Sequence, residues 1–482
     1  MNFPIRTAAD FMPLLPELVI AGGAFAILLM DLFLSTRTRI ATHVLSLLTL
    51  GVAAALLLAG IGGHGTVLSA MFVRDTVADV LKVAILLVSA MGMVYMWGYL
   101  RERDQYQGEV SVLMLFATLG MMLLVSAGNL AMLYVSLEML ALCSYALVVA
   151  DRDSPAGSEA GIKYFVLGAL ASGLLLYGMS LLYGGTGSLD LATISAKLTA
   201  AGSDPMLVTG VVFCVAGIAF KFGAAPFHMW LPDVYTGAAA PMTLFIGSAP
   251  KIAAFGMTYR LLEQGAGPLA AHWQMLLAGL AVLSLLFGNL SALMQSQMKR
   301  LLAFSTVSHV GFLFIGLAAG GKEGFSAAMF YAISYALMAA AGFGAVTLLS
   351  HRGYEADRLE DYRGLSQRSP WMALMILLVM ASMAGVPPFL GFWSKWAVLW
   401  AAINQGMLWL AIVGVIFAVI GAYYYLRVIK VMYFEAAPEA EPMQFRSDVA
   451  GRWLLTANAV GLLVLGIFFD PLMNWCRQAF GF

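Results

Sequence analysis

The chain has 482 residues, with 26 basic and 26 acidic side chains and no formal net charge at neutral pH. Hydrophobic residues make up 61% and charged residues only 11%, whereas soluble domains carry about one quarter charged residues. This balance excludes a soluble globular protein and gives no basic surface for nucleic acid. It predicts an integral membrane protein.

Apolar runs of about 20 residues, the length that crosses a bilayer as a helix, recur along the whole chain. We therefore predict an all-α polytopic membrane protein. The Gly-, Ser- and Thr-rich run 184–205 is predicted to be an external loop, and the polar segment 435–451 a linker. The 14 predicted spans lie near residues 12–34, 41–62, 76–99, 109–127, 129–150, 159–183, 206–226, 240–262, 271–294, 300–320, 324–350, 370–404, 408–434 and 452–475.

A faint internal repeat organises these spans. Glycine and a Pro-Phe pair occur within the seventh span, at 223–227, and again within the twelfth, at 385–389. Proline breaks a helix, so both spans are predicted to be broken. Because a unit of five spans returns on the opposite side of the membrane, spans 4–8 and 9–13 are predicted to be inverted repeats, as in many transporters. The single membrane domain 1–482 would then divide into a three-helix segment 1–108, repeats 109–262 and 271–434, and a linker with the last helix, 435–482.

The loops differ strongly in basic residues, which predicts the orientation, because cytoplasmic loops are enriched in lysine and arginine. The outer side carries Arg6, Arg74, Lys197, Arg260, Lys322 and Arg477. The cytoplasmic side carries Arg37, Arg39, Arg101, Arg103, Arg152, Lys163, Lys299, Arg300, Arg352, Arg358, Arg363, Arg368, Arg427, Lys430, Arg446 and Arg452. Both termini are therefore predicted to face outward.

One glutamate and three lysines stand out among the charged side chains within predicted spans, where a charge costs free energy and is a functional hypothesis by default. Glu138 lies about 14 Å from the start of its span, near the midplane. Lys251 is equally deep, while Lys221 and Lys395 lie near the two predicted breaks. The alternatives are a structural ion pair for Glu138 and snorkelling to an interface for the lysines. Because an ammonium can give up its proton when desolvated and is held protonated beside a carboxylate, this set suits a proton relay.

His309 is a further candidate for proton translocation, and His228 and Lys163 are secondary candidates. His309 lies about half-way along the tenth span and is either a relay residue or a hydrogen-bonded core histidine. His228 follows the seventh-span break and could line a water path or pack. Lys163 is predicted to form a surface ion pair with Glu159. Because it starts the sixth span on the cytoplasmic side, it could also have a side role in proton uptake. Asp79 and Lys82, three residues apart, are predicted to pair at the outer interface.

No cofactor site is predicted in this chain. The Gly60–Gly65 run fits a dinucleotide-binding pattern and Gly316–Lys322 most of a phosphate-binding loop, but neither follows a strand as those sites require. The cysteines, Cys143, Cys214 and Cys476, lack the close spacing of a metal or iron–sulfur site. The first apolar run is predicted to be a retained span rather than a signal peptide.

Several blocks resemble the antiporter-like membrane subunits of respiratory complex I, the proton-pumping NADH:quinone oxidoreductase. The resemblance covers nearly the whole chain. Lysine in both the eighth and twelfth spans, at Lys251 and Lys395, is typical of one subunit type; a related type has glutamate in the twelfth span, and another has a long C-terminal extension. The matching blocks are 14–33, the Glu138 span, 221–241, 299–312 and 385–396.

The resemblance implies a bacterial inner-membrane protein of fourteen helices. It implies that Glu138, Lys221, Lys251 and Lys395 form a polar axis, with Glu138 tuning Lys221 and Lys251 passing charge towards Lys395. It also implies that FMN, iron–sulfur clusters, NADH and quinone are held by partner subunits. The expected partners are neighbouring antiporter-like and small membrane subunits, the peripheral redox arm and lipids.

Three functions follow as hypotheses. The first is a proton-translocating subunit of NADH:quinone oxidoreductase, driven by redox chemistry elsewhere in the complex. The second is a subunit of a monovalent cation/proton antiporter without redox coupling. The third is a structural scaffold, in which every buried charge would be replaceable.

Overall fold

The computed structural model describes residues 8–35, 38–437 and 448–482. Arg6, Arg37 and Arg446, used above for orientation, lie outside the described residues, as do residues 438–447 of the predicted linker 435–451.

The described ranges are almost entirely helical, which confirms the all-helical polytopic class. A short antiparallel hairpin joins β1, Gly65–Val67, to β2, Phe72–Arg74. The α-helices are α1 Leu15–Asp31, α2 Ile40–Leu58, α3 Thr76–Glu102, α4 Gly108–Val125, α5 Leu130–Val148, α6 Pro155–Thr186, α7 Leu191–Ala201, α8 Pro205–Phe222, α9 Trp230–Gly237, α10 Ala240–Gly247, α11 Ala249–Thr258, α12 Ala270–Leu293, α13 Met298–Ala319, α14 Gly321–Leu349, α15 Leu365–Arg368, α16 Pro370–Ala384, α17 Leu390–Asn404, α18 Leu408–Phe434, α19 Val449–Ile467 and α20 Asp470–Ala479.

Among the described residues, 12 helices are long and apolar enough to cross a membrane. Two of them, α13 and α14, are almost wholly buried and form the centre of the molecule, whereas α1, α2, α6, α18 and α19 expose most of their apolar surface. The centre therefore carries the positions at which a buried polar side chain must be satisfied by other protein groups.

The two predicted helix breaks are present. Helix α8 ends at Phe222, and Gly223 follows with φ +76° before the chain resumes a helix at α9. Helix α16 ends at Ala384, and Gly385 follows with φ +84° before α17. Glycine suits both positions because it has no Cβ to clash in the left-handed region. The last carbonyls of α8 and α16 are thereby left without helical partners inside the protein.

The prediction of a loop over 184–205 was wrong, because residues Leu191–Ala201 form helix α7. Asp190 caps this helix by accepting a hydrogen bond from the Thr193 backbone N–H at 2.8 Å. Leu191, Ile194 and Leu198 are buried at helical spacing. This apolar stripe was obscured in the sequence by the glycines and serines on either side.

Two other regions also differ from the prediction. The last span stops at Ile467, and Asp470–Ala479 forms the separate helix α20, which begins at a proline-containing turn. The hairpin β1–β2 was not predicted, since its strands have only three residues each. It packs at the end of the bundle, where the Val73 backbone N–H bonds the Ser126 carbonyl at 2.8 Å.

The predicted pair between Asp79 and Lys82 was wrong. The Lys82 Nζ lies 2.7 Å from the Glu17 carboxylate on α1, and both side chains are buried, at 0% and 2% exposure. Asp79 instead accepts from the Arg74 Nε at 2.9 Å. Lys82 lies on the face of α3 that is turned towards α1. The spacing of Asp79 and Lys82 in the sequence did not reveal this direction. The buried ion pair ties the first span to the third.

We expect Lys82→Met to lower the thermal midpoint of unfolding in detergent, because it leaves the Glu17 carboxylate buried without its partner, a loss of about 3–5 kcal/mol. The double variant Glu17→Leu/Lys82→Met should recover most of the midpoint, because no charge then remains buried. Lys322→Met, at an exposed lysine, is the control. A double variant as unstable as Lys82→Met would contradict this interpretation.

Candidate functional site

Lys251 lies in the first turn of α11 and is 2% exposed. Its Nζ donates to the carbonyl oxygens of Phe222, at 2.8 Å, and Lys221, at 3.3 Å, which are the last residues of α8. The amine also lies 5.4 Å from the ring centroid of Trp230. Because the C-terminal end of a helix carries partial negative charge, the break in α8 forms a binding site for an ammonium.

Lys395 on α17 occupies an equivalent position at the second break. It is 8% exposed, and its Nζ donates to the carbonyl oxygens of Met383, at 3.0 Å, and Ala384, at 2.8 Å, which end α16. The ring of Phe312 lies 5.2 Å from the amine. The same arrangement thus occurs twice: an interrupted helix, a left-handed glycine, two free carbonyls and a buried lysine.

The magnitudes show why these sites can exist. A lysine at the centre of a membrane helix costs about 3 kcal/mol on insertion scales. Hydrogen bonds to charged groups contribute about 1.5–3 kcal/mol each, so two carbonyl bonds offset a cost of this size. The two hydrogen bonds stabilise the ammonium only while it stays close to the carbonyls. The protonation of the amine is therefore linked to its position.

Lys221 lies in the last turn of α8 and is half-buried. Its Nζ donates to the Ser172 hydroxyl at 3.1 Å. A cavity of about 30 Å³ adjoins the lysine and is also lined by Leu137, Ser144, Tyr164 and Pro250, among others. This volume holds a water molecule or two, so the cavity can carry water between Lys221 and the α5 segment that bears Glu138.

Glu138 lies in the middle of α5 and is half-buried. Within the described part of the chain, its Oε1 has no hydrogen-bond partner and the side chain is in no direct ion pair with Lys221. Val135 and Leu142 share this face of α5 and are 65% and 56% exposed, so Glu138 lies at the outer surface of the chain.

His309 lies in the middle of α13 and is 3% exposed. Its Nδ1 is 2.7 Å from the Tyr331 hydroxyl, and its Nε2 is 3.0 Å from the Tyr425 hydroxyl. Tyr425 also bonds the Ser305 hydroxyl. Tyr331 also stacks on Phe312, at 6.1 Å between centroids, and the Phe312 ring adjoins the Lys395 amine, so the histidine lies on the Lys395 side of the molecule.

The tyrosine network was missed by the sequence reasoning. Tyr331 and Tyr335 stand on one face of α14, and Tyr335 donates to the Thr306 hydroxyl at 2.8 Å. Tyr424 donates to Asn289 at 3.2 Å. Hydroxyl residues at helical spacing in the most apolar spans were the available signal, since each buried hydroxyl needs a partner.

The two secondary candidates lie apart from the buried amines. Lys163 forms the surface pair expected with Glu159, at 2.7 Å, and also bonds Asp233 at 2.9 Å. His228 lies in the break after α8 and packs against the rings of Phe287 and Phe304, with centroids 6.2 and 6.4 Å away.

The structure therefore joins the buried residues in two groups. One contains Lys221 and Lys251, and the other contains Lys395 and His309. The ring of Phe222, beside the first group, contacts Phe314 on α13, the helix that bears His309, with 5.2 Å between centroids. Among the described residues, no cluster of His, Cys, Asp and Glu is arranged to hold a metal ion.

Comparison with known proteins identifies the family. Residues 127–421 match the family model described as NADH:quinone oxidoreductase/Mrp antiporter, TM. The chain is 59% identical over 474 residues to NADH-quinone oxidoreductase subunit N of Xanthomonas euvesicatoria pv. vesicatoria, covering 98% of this chain and 97% of the relative. The chain belongs to the subunit N family of NADH-quinone oxidoreductases. This confirms the resemblance seen in the sequence.

Two solved structures show how the subunit N fold is shared. A chain of respiratory complex I from Thermus thermophilus has a TM-score of 0.81 and 32% identity, covering 95% of this chain and 98% of that one. A chain of the Mrp complex from Dietzia sp. DQ12-45-1b has a TM-score of 0.84, and the match covers 98% of this chain and 97% of that one. Its sequence identity is 22%, so this likeness shows the fold alone. The matched region 127–421 contains every buried amine of both groups.

We expect Gly385→Ala to displace the Lys395 amine, because the new Cβ would lie 3.0 Å from Lys395 Cδ and 3.1 Å from its Nζ. In membranes that contain the assembled complex, NADH-driven proton uptake by inverted vesicles should fall by about tenfold, a barrier change of ~1.4 kcal/mol.

Gly406→Ala is the matched control. Gly406 also has a positive φ, +76°, but an added Cβ meets nothing within 4 Å. It should therefore keep most of the proton uptake. Equal losses in both variants would mean that backbone strain, rather than the position of the amine, explains the effect.

Proposed function

We propose that this chain is a proton-translocating membrane subunit of NADH:quinone oxidoreductase in the inner membrane of a bacterium. The observation that carries the proposal is the repeated site in which a buried lysine rests on the free carbonyls of a broken helix. In this proposal the chain contributes to a translocase but holds no redox centre. FMN, the iron–sulfur clusters, NADH and quinone belong to partner subunits.

The first half of the proposed route runs from Glu138 to Lys251. Glu138 has a free carboxylate oxygen, and a water-sized cavity adjoins Lys221 beside the α5 segment. Lys221 follows, and its own carbonyl accepts from the Lys251 amine. A change in the charge of Glu138 would alter the affinity of Lys221 for its proton, because opposite charges stabilise each other strongly where water is scarce.

The second half runs through Lys395 and His309. Lys395 would receive charge from Lys251, and His309 with Tyr331 and Tyr425 would connect it to further hydroxyl groups. The rings of Phe222 and Phe314 separate the two halves. A proton can cross only when water enters between these rings, so hydration of this gap is the proposed gate.

We also propose fourteen spans in two inverted five-helix repeats, spans 4–8 and 9–13. Twelve helices are long enough to cross, and the pairs α10/α11 and α16/α17 would supply the other two crossings. The likeness of the two breaks, each with a left-handed glycine, supports the repeat. In this arrangement the break after α8, in span 7, corresponds to the break after α16, in span 12.

For orientation, we propose that both termini face the periplasm. Lys163 and Arg300, both assigned to the cytoplasmic side, meet at Asp233, each at 2.9 Å. Arg260, assigned to the outer side, pairs with Asp75 at 2.7 Å. This sorting of the charged residues supports the orientation inferred from the loops.

The partners follow from the exposed surfaces. A carboxylate that faces lipid is costly, yet Glu138 lies on an outer face of α5. A neighbouring membrane subunit that covers this face would remove the cost and could exchange charge with Glu138. The other exposed apolar faces would contact small membrane subunits and lipids, and the peripheral redox arm supplies the driving force.

A cation/proton antiporter subunit is the second candidate, because the fold is shared with a chain of an Mrp complex. It predicts sodium- or potassium-dependent proton exchange in vesicles without NADH. The subunit N relatives and Lys395 favour redox-driven translocation. A purely structural scaffold would tolerate replacement of every buried charge.

We expect Lys221→Met to lower NADH-driven proton pumping by at least about tenfold, because the water cavity then loses its only lysine among the described lining residues. Lys221→Arg should retain the charge but fit the cavity poorly, giving an intermediate rate. Glu138→Gln should also lower pumping, since an amide cannot exchange a charge. Proton uptake and NADH oxidation are measured together in vesicles.

Lys197→Met is the matched control, since Lys197 lies on the short helix α7 and donates to the Thr186 backbone carbonyl. NADH oxidation with ferricyanide as electron acceptor checks that the complex has assembled. Normal pumping in Lys221→Met and Glu138→Gln, at normal assembly, would refute the proposed mechanism.

A further inference from the structure

A second cavity, which the proposed proton route does not use, lies where α17 meets α20 and the first three turns of α14. Its volume is about 240 Å³. It is lined by Glu323, Ala327, Phe330, Trp393, Trp396, Ala397, Trp400, Phe469, Asp470, Met473 and Arg477. The cavity combines an aromatic wall with charges of both signs.

The aromatic wall comes from one face of α17. Trp393, Trp396 and Trp400 follow one another at helical spacing, over about 10 Å along the helix axis. Trp396 and Trp400 are 52% and 48% exposed and stack on each other, with centroids 6.0 Å apart. Tryptophans in this arrangement are typical of the level where acyl chains meet headgroups.

Trp393 forms the floor of the cavity. Its ring stacks on Phe469 at 4.0 Å between centroids, which fixes the orientation of the indole. Its Nε1 is buried and has no hydrogen-bond partner among the described residues. A buried N–H without an acceptor is costly, so an occupant that offers an oxygen would satisfy it.

The rim carries one cation and two carboxylates. Arg477 is exposed and is in no ion pair with a described residue. Asp470 stands at the other end of the same short helix, and the Glu323 carboxylate accepts a hydrogen bond from the Asn404 amide at 2.8 Å. Lys322 points away, to the Gly481 carbonyl at 3.2 Å. The rim therefore offers a guanidinium for an anion and carboxylates for a cation, next to each other.

We propose that this cavity binds the headgroup of an aminophospholipid, of the phosphatidylethanolamine class. Arg477 would bind the phosphate, while Glu323 and Asp470 would accept hydrogen bonds from the primary ammonium. The Trp393 Nε1–H would donate to a glycerol ester or phosphate oxygen. The acyl chains would lie along Trp396 and Trp400, outside the cavity.

The chemistry of the rim selects this lipid class. A primary ammonium has three N–H donors, whereas the quaternary ammonium of phosphatidylcholine has none to give to carboxylates. An anionic lipid such as phosphatidylglycerol would satisfy Arg477 but place its charge beside two carboxylates. This site does not depend on proton translocation, and its test measures lipid binding rather than pumping.

The test uses the assembled complex in detergent, stripped of bound lipid and titrated with phosphatidylethanolamine, phosphatidylcholine or phosphatidylglycerol, with bound lipid counted by native mass spectrometry. Wild type should bind phosphatidylethanolamine at least tenfold more tightly than the other two. Arg477→Gln and the double variant Glu323→Gln/Asp470→Asn should each remove this preference. Arg477→Lys, which keeps the charge, should retain most of it.

Arg452→Gln is the matched control, because Arg452 also lies over a tryptophan, Trp371, at 4.7 Å, but lines a different surface. It should bind phosphatidylethanolamine as the wild type does. Equal binding of all three lipids, or a preference for phosphatidylglycerol that persists without the carboxylates, would overturn the proposal. Loss of a neighbouring subunit from the complex of Arg477→Gln would also overturn it, since the cavity would then be a protein contact.

Discussion

The structure depends on one constraint: an ammonium inside a membrane must be held by protein groups that carry partial negative charge. Two broken helices meet this requirement, because each ends in carbonyls that no helical N–H can reach. Gly223 and Gly385 allow the chain to turn away at the right place, and Lys251 and Lys395 fill the sites. The breaks therefore have a direct chemical purpose, and the surrounding helices can be understood as the walls that keep these sites dry and in place.

This arrangement links charge to position. A protonated amine is bound by two carbonyls, while a neutral amine loses most of that attraction and is free to move. The ring of Phe222, at the first site, contacts Phe314 on α13, so we propose that a proton passes from one amine to the other only through water that enters between these rings. Energy supplied elsewhere would need only to change the charge near Glu138, or to admit water between the rings, to move a proton in one direction. Outside this region, the buried Glu17–Lys82 pair joins α1 to α3.

Much of this could be predicted from the sequence, for a physical reason. Buried charges and helix-breaking residues are so costly in apolar spans that Glu138, Lys221, Lys251 and Lys395 and the two breaks were recognisable without a structure. Features that depend on the direction of a side chain could not be predicted from the sequence. Lys82 bonds Glu17 rather than the nearby Asp79, and His309 rests on Tyr331 and Tyr425 from two other helices. Helix α7 was missed because its apolar stripe is short. The groups that bind Lys251 and Lys395 could not be predicted either, because they are backbone carbonyls, which every residue has.

The most direct test is a structure of the assembled complex at a resolution that shows ordered water, determined at rest and during NADH oxidation. The account predicts water between Lys221 and Glu138 in both states. During turnover, it predicts water between Phe222 and Phe314, with the amine of Lys251 or Lys395 displaced from its carbonyls in part of the molecules. A gap that stays dry, with both amines unmoved while protons are pumped, would contradict it.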